Sequence, residues 1–145
     1  KCAAGTGRFL ETMATALQIP LEEFGECALR AHDAVRISST CTVFAETEVV
    51  SHIARGKKKE EVLLGVCQSI VDRIAAMVRS IGVKPPVAMT GGVAKNPAVV
   101  KLMGNRLGLP VFLPPEPQIT GALGAALIAR QDALARQNPL PALSG

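Results

Sequence analysis

The 145-residue sequence contains no tryptophan, no tyrosine and only four phenylalanines. Proteins that bind single-stranded nucleic acids stack the bases on aromatic side chains, so this composition argues against nucleic acid as the main partner. The net charge of +4 is modest, and the densest basic run, at residues 57–59, is followed at once by Glu60 and Glu61. This mixture of charges predicts the solvated start of a helix.

The sequence also lacks long apolar runs. None approaches the roughly 18 to 20 residues of a transmembrane helix, and the N-terminus lacks the charged-then-apolar pattern of a signal peptide. We therefore expect a cytoplasmic protein with no membrane partner. Apolar residues make up 48% of the chain and charged residues 19%, which predicts a globular domain with a hydrophobic core. Because residue 1 is Lys rather than Met, we expect a piece of a longer protein.

Hydrophobic periodicity predicts six helices and two short strands. The first helix carries Phe9, Leu10, Met13 and Leu17, and the others cover about residues 20–31, 41–56, 59–81, 96–107 and 120–135. The longest helix has an apolar stripe that we expect to be buried, consisting of Val62, Val66, Ile70, Ile74, Met77 and Ile81. A short buried strand is predicted at 87–89 and a second strand at 111–113, and the helix between them makes the pair parallel. Residues 138–145 show no periodicity and predict a flexible tail.

The four cysteines form no Cys-x-x-Cys motif. Cys2 and Cys41 each lie in a turn that leads into a predicted helix. A helix N-terminus carries partial positive charge and favours a thiolate, which suits iron-sulfur ligation, although spacing alone equally allows two buried thiols. Cys27 and Cys67 lie among apolar residues within predicted helices and are expected to be packing residues.

Four segments carry a family resemblance: CAAGTGRF at residues 2–9, SSTCTVFAETEV at 38–49, TGGVAKN at 90–96 and TGALGAA at 120–126. In this order they resemble the BadF/BadG/BcrA/BcrD ATPase family, which includes activators of 2-hydroxyacyl-CoA dehydratases and ATPase subunits of benzoyl-CoA reductase. The resemblance implies a helix-rich α/β fold, part of a ribonuclease-H-like lobe of the actin, Hsp70 and sugar-kinase superfamily. Residues 1–137 would form the C-terminal part of that ATPase lobe, including its cluster-binding helices.

The resemblance also implies a function. Cys2 and Cys41 match the family cysteines that bind a four-iron, four-sulfur (4Fe-4S) cluster shared by the two subunits of a homodimer. The implied protein is an ATP-dependent electron activator that delivers electrons to an acyl-CoA dehydratase or an aromatic-ring reductase. Two chains would be required, because two cysteines from one chain supply half of the four ligands that such a cluster needs.

Nucleotide binding is implied at two glycine-rich turns. Thr90, Gly91 and Gly92 resemble the adenosine motif of the family, although a plain tight turn explains the same residues. Residues 5–7 (Gly5, Thr6 and Gly7) either approach the nucleotide or only permit the turn. The family motifs that position the γ-phosphate and Mg²⁺ are absent from the sequence. We therefore expect ATP or ADP with Mg²⁺ in the full-length protein and no ATP hydrolysis by this chain alone.

Two alternatives stay open at this point: a small-molecule kinase lobe of the same superfamily that binds no metal, and a dimerising scaffold. Glu46 and Glu48 lie two apart on a predicted helix and point in different directions, so we expect solvated or interfacial side chains rather than a paired acid-base site. His32 and His52 lack a second ligand at metal spacing and are predicted to be surface residues.

Overall fold

The computed structural model describes residues 7–38 and 41–137 of the chain. The described part contains six α-helices, one 3-10 helix and two strands. In chain order they are α1 (Gly7–Ala16), α2 (Leu21–Ala28), α3 (Thr42–Ala54), α4 (Lys59–Ile81), β1 (Val87–Ala88), the 3-10 helix (Gly92–Lys95), α5 (Pro97–Leu107), β2 (Val111–Phe112) and α6 (Thr120–Gln137). The predicted order of helices and strands is confirmed, and the predicted tail at 138–145 lies outside the described residues.

Helix α4 is the centre of the hydrophobic core. It packs against α2, α3 and α5, while α1 packs against α2 and α3. The apolar stripe of α4 that supplies the core runs from Val62 to Ala75. Since hydrophobic burial is the dominant favourable term in folding, these contacts fix the arrangement of the helices that surround both candidate sites.

The predicted burial of the α4 stripe is wrong at its C-terminal end. Met77 is 55% exposed and Ile81 is 83% exposed. Helix α4 has 23 residues and α5 has 11. At 1.5 Å per residue, α4 is about 18 Å longer than α5. A helix as short as α5 cannot cover the whole length of α4, and Met77 and Ile81 are left exposed within the described chain.

The two strands form a parallel pair in which Val87 faces Val111 and Ala88 faces Phe112. The parallel arrangement is confirmed, but the predicted burial of the first strand is wrong at Ala88, which is exposed. Phe112 of the second strand is exposed as well. Helix α2 also ends at Ala28, three residues before the predicted end. Its last turn tightens into i to i−3 hydrogen bonds, as when the Ala31 N–H donates to the carbonyl oxygen of Ala28.

Helix α6 has no buried residue, and its apolar side chains are exposed within the described chain. A Cβ at Gly121 or Gly124 would have no heavy atom within 4 Å. Neither glycine therefore packs closely against another part of the described chain. No helix within residues 7–38 and 41–137 is long and apolar enough to cross a bilayer.

Candidate functional site

A cleft of about 460 Å³ lies where the starts of α1, α2 and α5 meet. Residues from four separate segments form its walls. They are Gly7, Leu10 and Glu11 from α1, Leu21 and Glu22 from α2, Gly92, Val93, Lys95 and Asn96 from the 3-10 helix and the residue after it, and Gln118 from the segment before α6. The cleft therefore brings together Gly7 and Gly92, which the sequence assigned to two different nucleotide turns.

The turn before the 3-10 helix depends on glycine. Gly91 has φ of +88° and ψ of 177°, a conformation that side chains with a Cβ rarely adopt. The Gly91 N–H donates a hydrogen bond of 2.8 Å to the carbonyl oxygen of Pro117. A Cβ on Gly92 would lie 3.3 Å from Nε2 of Gln118. The backbone is thus exposed to the cleft at this turn, as close approach of a ligand requires.

Other predicted nucleotide residues differ in their placement. A Cβ on Gly7 would lie 3.9 Å from Cγ2 of Val93, so the start of α1 lies against the 3-10 helix. Thr90 is exposed and does not line the cleft. Gly5 and Thr6 lie outside the described residues. Of the six predicted positions, Gly7 and Gly92 therefore line the cleft, and Gly91 shapes its wall.

Asn96 is a cleft residue that the sequence analysis treated only as the start of a helix. It is 8% exposed, and its Oδ1 accepts a hydrogen bond of 3.1 Å from the Val99 N–H, which caps α5. Gly25 packs against it, since a Cβ at position 25 would lie 2.6 Å from that Oδ1. Nδ2 of Asn96 is buried with no hydrogen-bond partner in the structure. An unpaired buried donor at the wall of a cleft is available to a ligand.

Lys95, Glu22 and Gln118 are further cleft residues that the sequence analysis did not identify. Lys95 supplies a positive charge, Glu22 a carboxylate and Gln118 a side-chain amide. Lys95 and Asn96 fall within the TGGVAKN segment, so the sequence resemblance could have indicated them as cleft residues. Glu22 and Gln118 lie far from it in sequence, and only the packing of α2 and the 117–118 segment brings them to the cleft.

Cys41 lies at the N-terminus of α3, as predicted. It is the N-cap residue, with φ of −79° and ψ of 130°, and its carbonyl oxygen accepts a hydrogen bond of 2.9 Å from the Ala45 N–H. The Cys41 thiol is free and exposed, and its side chain makes no capping hydrogen bond. The hydroxyl of Thr42, the next residue, is buried without a hydrogen-bond partner in the structure. The Thr42 hydroxyl and the free backbone N–H groups of a helix start are donors that suit an anionic ligand.

The described residues contain no complete metal site. Among residues 7–38 and 41–137, no group of three or more His, Cys, Asp or Glu side chains is placed to hold a metal ion. Cys2, the other predicted ligand, lies outside the described residues. A metal group at Cys41 would therefore need ligands from beyond the described part of the chain.

The two helical cysteines behave as packing residues. Cys67 lies in α4 and is fully buried, and this burial raises the pKa of its thiol from 9.0 to about 12. Cys27 is half-buried in α2 and packs against the core. A neutral, buried thiol is a poor metal ligand, because the ligand form is the thiolate.

The predicted surface residues need one correction. Glu46 is exposed, as expected, but Glu48 is half-buried and accepts hydrogen bonds from Ser38. His32 is exposed, whereas His52 is half-buried beside an open groove. The prediction of a solvated or interfacial side chain thus misses the intrachain role of Glu48.

The chain is similar to a dehydratase activator and to a reductase subunit. It is 48% identical over 133 residues to the activator of lactoyl-CoA dehydratase from Anaerotignum propionicum, covering 92% of this chain and 51% of that protein. It is 33% identical over 144 residues to a benzoyl-CoA reductase subunit from Thauera aromatica, covering 94% of this chain and 51% of that protein. The chain thus spans about half the length of these relatives.

A solved structure of a similar protein has the same fold. The activator of the 2-hydroxyisocaproyl-CoA dehydratase from Clostridium difficile, with bound ADPNP, matches with a TM-score of 0.90 at 43% identity, covering 100% of this chain and 54% of that one. This match confirms the predicted class, a helix-rich part of a ribonuclease-H-like lobe with a short parallel strand pair. The family model for BadF/BadG/BcrA/BcrD ATPases matches residues 1–129. The chain therefore belongs to the BadF/BadG/BcrA/BcrD ATPase family.

Proposed function

We propose that this chain is the C-terminal, cluster-binding part of an ATP-dependent electron activator. The observation that carries the proposal is the free, exposed thiol of Cys41 at the N-terminus of α3. In the proposal, Cys2 and Cys41 from each of two chains supply the four thiolates of one 4Fe-4S cluster. When bound, such a cluster carries one electron at a time between its reduced and oxidised states.

The start of α3 would stabilise an anionic cluster held by Cys41. The first turn of a helix has N–H groups without intrahelical acceptors, and its dipole places about half a positive charge there. Both effects favour a negatively charged group bound at this position. Cys67 has the opposite environment, since burial holds it in the neutral form. The contrast supports Cys41, rather than Cys67, as the ligand.

Two exposed apolar side chains next to Cys41 support a homodimer, or pairing with a homologous subunit. Val43 is 67% exposed and Phe44 is 68% exposed, both in the first turn of α3. A second chain that shares the cluster would meet this turn first and would remove both side chains from water. Such burial contributes about 1.5 to 3 kcal/mol for each large apolar side chain that becomes fully buried.

The cleft is proposed to bind the nucleoside part of ATP or ADP. The backbone at Gly91 and Gly92 would lie close to the nucleoside, and the unpaired Nδ2 of Asn96 would donate to it. Lys95 would attract the phosphates by its charge. Gly7, at the start of α1, is proposed to approach the same nucleotide, as are Gly5 and Thr6, which precede it in the sequence.

ATP hydrolysis is proposed to require a further lobe in the full-length protein. The γ-phosphate and Mg²⁺ motifs of the family are absent from the 145 residues. Several exposed apolar side chains of α6 and β2 would pack against that lobe. They are Phe112, Leu123, Leu127, Ile128 and Leu134. Nucleotide-driven closure of the two lobes would then change the surroundings of the cluster at the start of α3.

The proposed electron acceptor is an acyl-CoA dehydratase or an aromatic-ring reductase. A dehydratase activator and a subunit of an aromatic-ring reductase both match the chain. The dehydratase activator is the more similar of these two, at 48% against 33% identity. A cytoplasmic location, where thiols stay reduced, belongs to the same proposal.

The test is the iron and sulfide content of the full-length protein after anaerobic purification and reconstitution. About two irons per chain are expected if two chains share one four-iron cluster. Cys2→Ala and Cys41→Ala should abolish the brown colour, while Cys27→Ala, a half-buried packing residue, should keep it. A colourless wild-type protein that still binds nucleotide would refute the cluster and favour the kinase lobe. A cluster-loaded monomer in sedimentation experiments would refute the shared ligands.

A further inference from the structure

Glu48 connects helix α3 to the segment that leads into it. The backbone N–H of Ser38 donates hydrogen bonds to both carboxylate oxygens of Glu48, of 2.9 Å to Oε1 and 3.1 Å to Oε2. The Ser38 hydroxyl donates a third, of 3.0 Å, to Oε1. Hydrogen bonds to a carboxylate are stronger than those between neutral groups. Ser38 is therefore held against the same helix that Cys41 begins.

The position of Glu48 places it on the Cys41 side of α3. Glu48 lies seven positions after Cys41 in the sequence. Seven residues make about two helical turns, so the two positions lie near one face of the helix. Ser38 precedes Cys41 by three residues, and a chain of three residues spans at most about 11 Å. The hydrogen bonds to Ser38 therefore restrict how far Cys41 can lie from Glu48.

The segment before Ser38 is itself fixed to the core. The Val35 N–H donates a hydrogen bond of 3.1 Å to the carbonyl oxygen of Glu61 in α4. Val35 and Ile37 are both buried. Residues 35–38 thus form a fixed strip beside α4, and the carboxylate of Glu48 joins α3 to its end.

Helix α3 packs against α1 and α4. Ala45 and Val49 are its only buried residues within the described chain. Several of its larger apolar side chains are exposed, including Val43, Phe44 and Val50. Because two small or medium side chains resist rotation and sliding of a helix poorly, the hydrogen bonds between Glu48 and Ser38 add directional contacts to this packing.

We propose that Glu48 is a positioning residue that holds the thiol of Cys41 in the direction required for metal ligation. The inference rests on the proposed function, since it takes Cys41 to be a cluster ligand. Glu48 itself does not touch the metal. Its carboxylate holds Ser38 against α3, and so sets where the N-cap residue Cys41 presents its sulfur.

The experiment compares Glu48→Ala, Glu48→Gln and Glu46→Ala in the full-length protein. Glu46 is the matched control because it is an exposed carboxylate on the same helix. In cluster-free protein, hydrogen exchange of the Ser38 amide should be about tenfold to a hundredfold faster in Glu48→Ala. Glu48→Gln should fall between it and wild type, because its single carbonyl oxygen replaces two acceptors. Glu46→Ala should exchange like wild type.

The second measurement is the rate at which an iron chelator removes the metal from reconstituted protein. Glu48→Ala should lose iron several-fold faster than wild type, and its reduced-state EPR spectrum should change. Met103→Ala, which removes a buried side chain from α5, controls for a general loss of stability. If Met103→Ala releases iron as fast as Glu48→Ala, the effect is global and the positioning role is refuted.

The outcomes separate this inference from the proposed function. A wild-type protein that takes up no iron refutes the proposed function, and the positioning role with it. A wild-type protein that loads normally beside a Glu48→Ala variant with unchanged iron release refutes the positioning role alone. Faster amide exchange and faster iron release in Glu48→Ala, with Glu46→Ala unchanged, support it.

Discussion

Gly65 of helix α4 lies directly beneath Val35, so that a Cβ at position 65 would overlap the carbonyl oxygen of Val35. One turn earlier on α4, the carbonyl oxygen of Glu61 accepts the hydrogen bond from the Val35 N–H. The absence of a side chain at Gly65 therefore lets the 35–38 strip lie against α4. This is the strip that ends at Ser38.

Gly65→Ala is expected to lower the free energy of unfolding by about 1 to 3 kcal/mol, because the added methyl group displaces the backbone of Val35. Urea unfolding measures the change. Gly124→Ala is the control: position 124 has no heavy atom within 4 Å of a Cβ, and alanine favours a helix by about 0.5 to 1 kcal/mol over glycine. A Gly65→Ala protein as stable as wild type would contradict the close contact.

Asn96 combines two roles that substitutions can separate. Asn96→Ala removes the cap of α5 and should cost about 1 kcal/mol of stability, while also removing the donor proposed for the nucleotide. Asn96→Ser keeps an oxygen that can accept from the Val99 N–H but lacks Nδ2. We expect the serine variant to be close to wild type in urea unfolding and weaker in ADP titrations. Equal ADP affinity in Asn96→Ser and wild type would remove Asn96 from the nucleotide site.

Gly91→Ala tests the turn at the cleft. At φ of +88° and ψ of 177°, alanine is strained by about 1 to 3 kcal/mol. Relief of that strain would move the backbone that is proposed to contact the nucleoside. Gly108→Ala is the control, since Gly108 also has a positive φ, of +68°, but ends α5 away from the cleft. ADP affinity should fall in Gly91→Ala and not in Gly108→Ala, and an equal fall in both would argue against the cleft.

The raised pKa of Cys67 predicts that the protein is less stable at alkaline pH. Its pKa is raised from 9.0 to about 12 in the folded protein by burial. Above about pH 9 the unfolded chain releases this proton while the folded chain keeps it, so the unfolded state binds fewer protons and the free energy of unfolding falls. The contribution is full below pH 9 and is lost progressively towards pH 12, with a slope of at most about 1.4 kcal/mol per pH unit.

Cys67→Ala should lack this contribution. Urea unfolding under reducing conditions, at about pH 8 and about pH 10, should therefore show a smaller difference between wild type and Cys67→Ala at the higher pH. The cost of the cavity left by the alanine is the same at both values. Parallel pH profiles of the two proteins would show that the thiol titrates alike in the folded and unfolded states.

Local features predicted much of the fold. The 3.6-residue periodicity and the flanking glycine predicted both ends of α4, at Lys59 and Ile81. Asn96 and Pro97 predicted the start of α5, and the turn residues placed Cys41 at the start of α3. These features depend on neighbours within a few residues, so the sequence alone contains the information. Of the site, the sequence predicted the glycines at 7 and 92, but not that they share one cleft.

Contacts between distant segments decided the rest. The stripe of α4 remains apolar through Ile81, yet burial stops near Ala75 because it depends on which other helix covers each turn. The acceptor role of Glu48 depends on how residues 29–38 fold back over α4, since its partner Ser38 is ten positions away. The sequence by itself determined where α4 and α5 begin and end and where α3 begins. Only the tertiary structure determined which faces they cover and which side chains meet, because those contacts join residues that no local pattern connects.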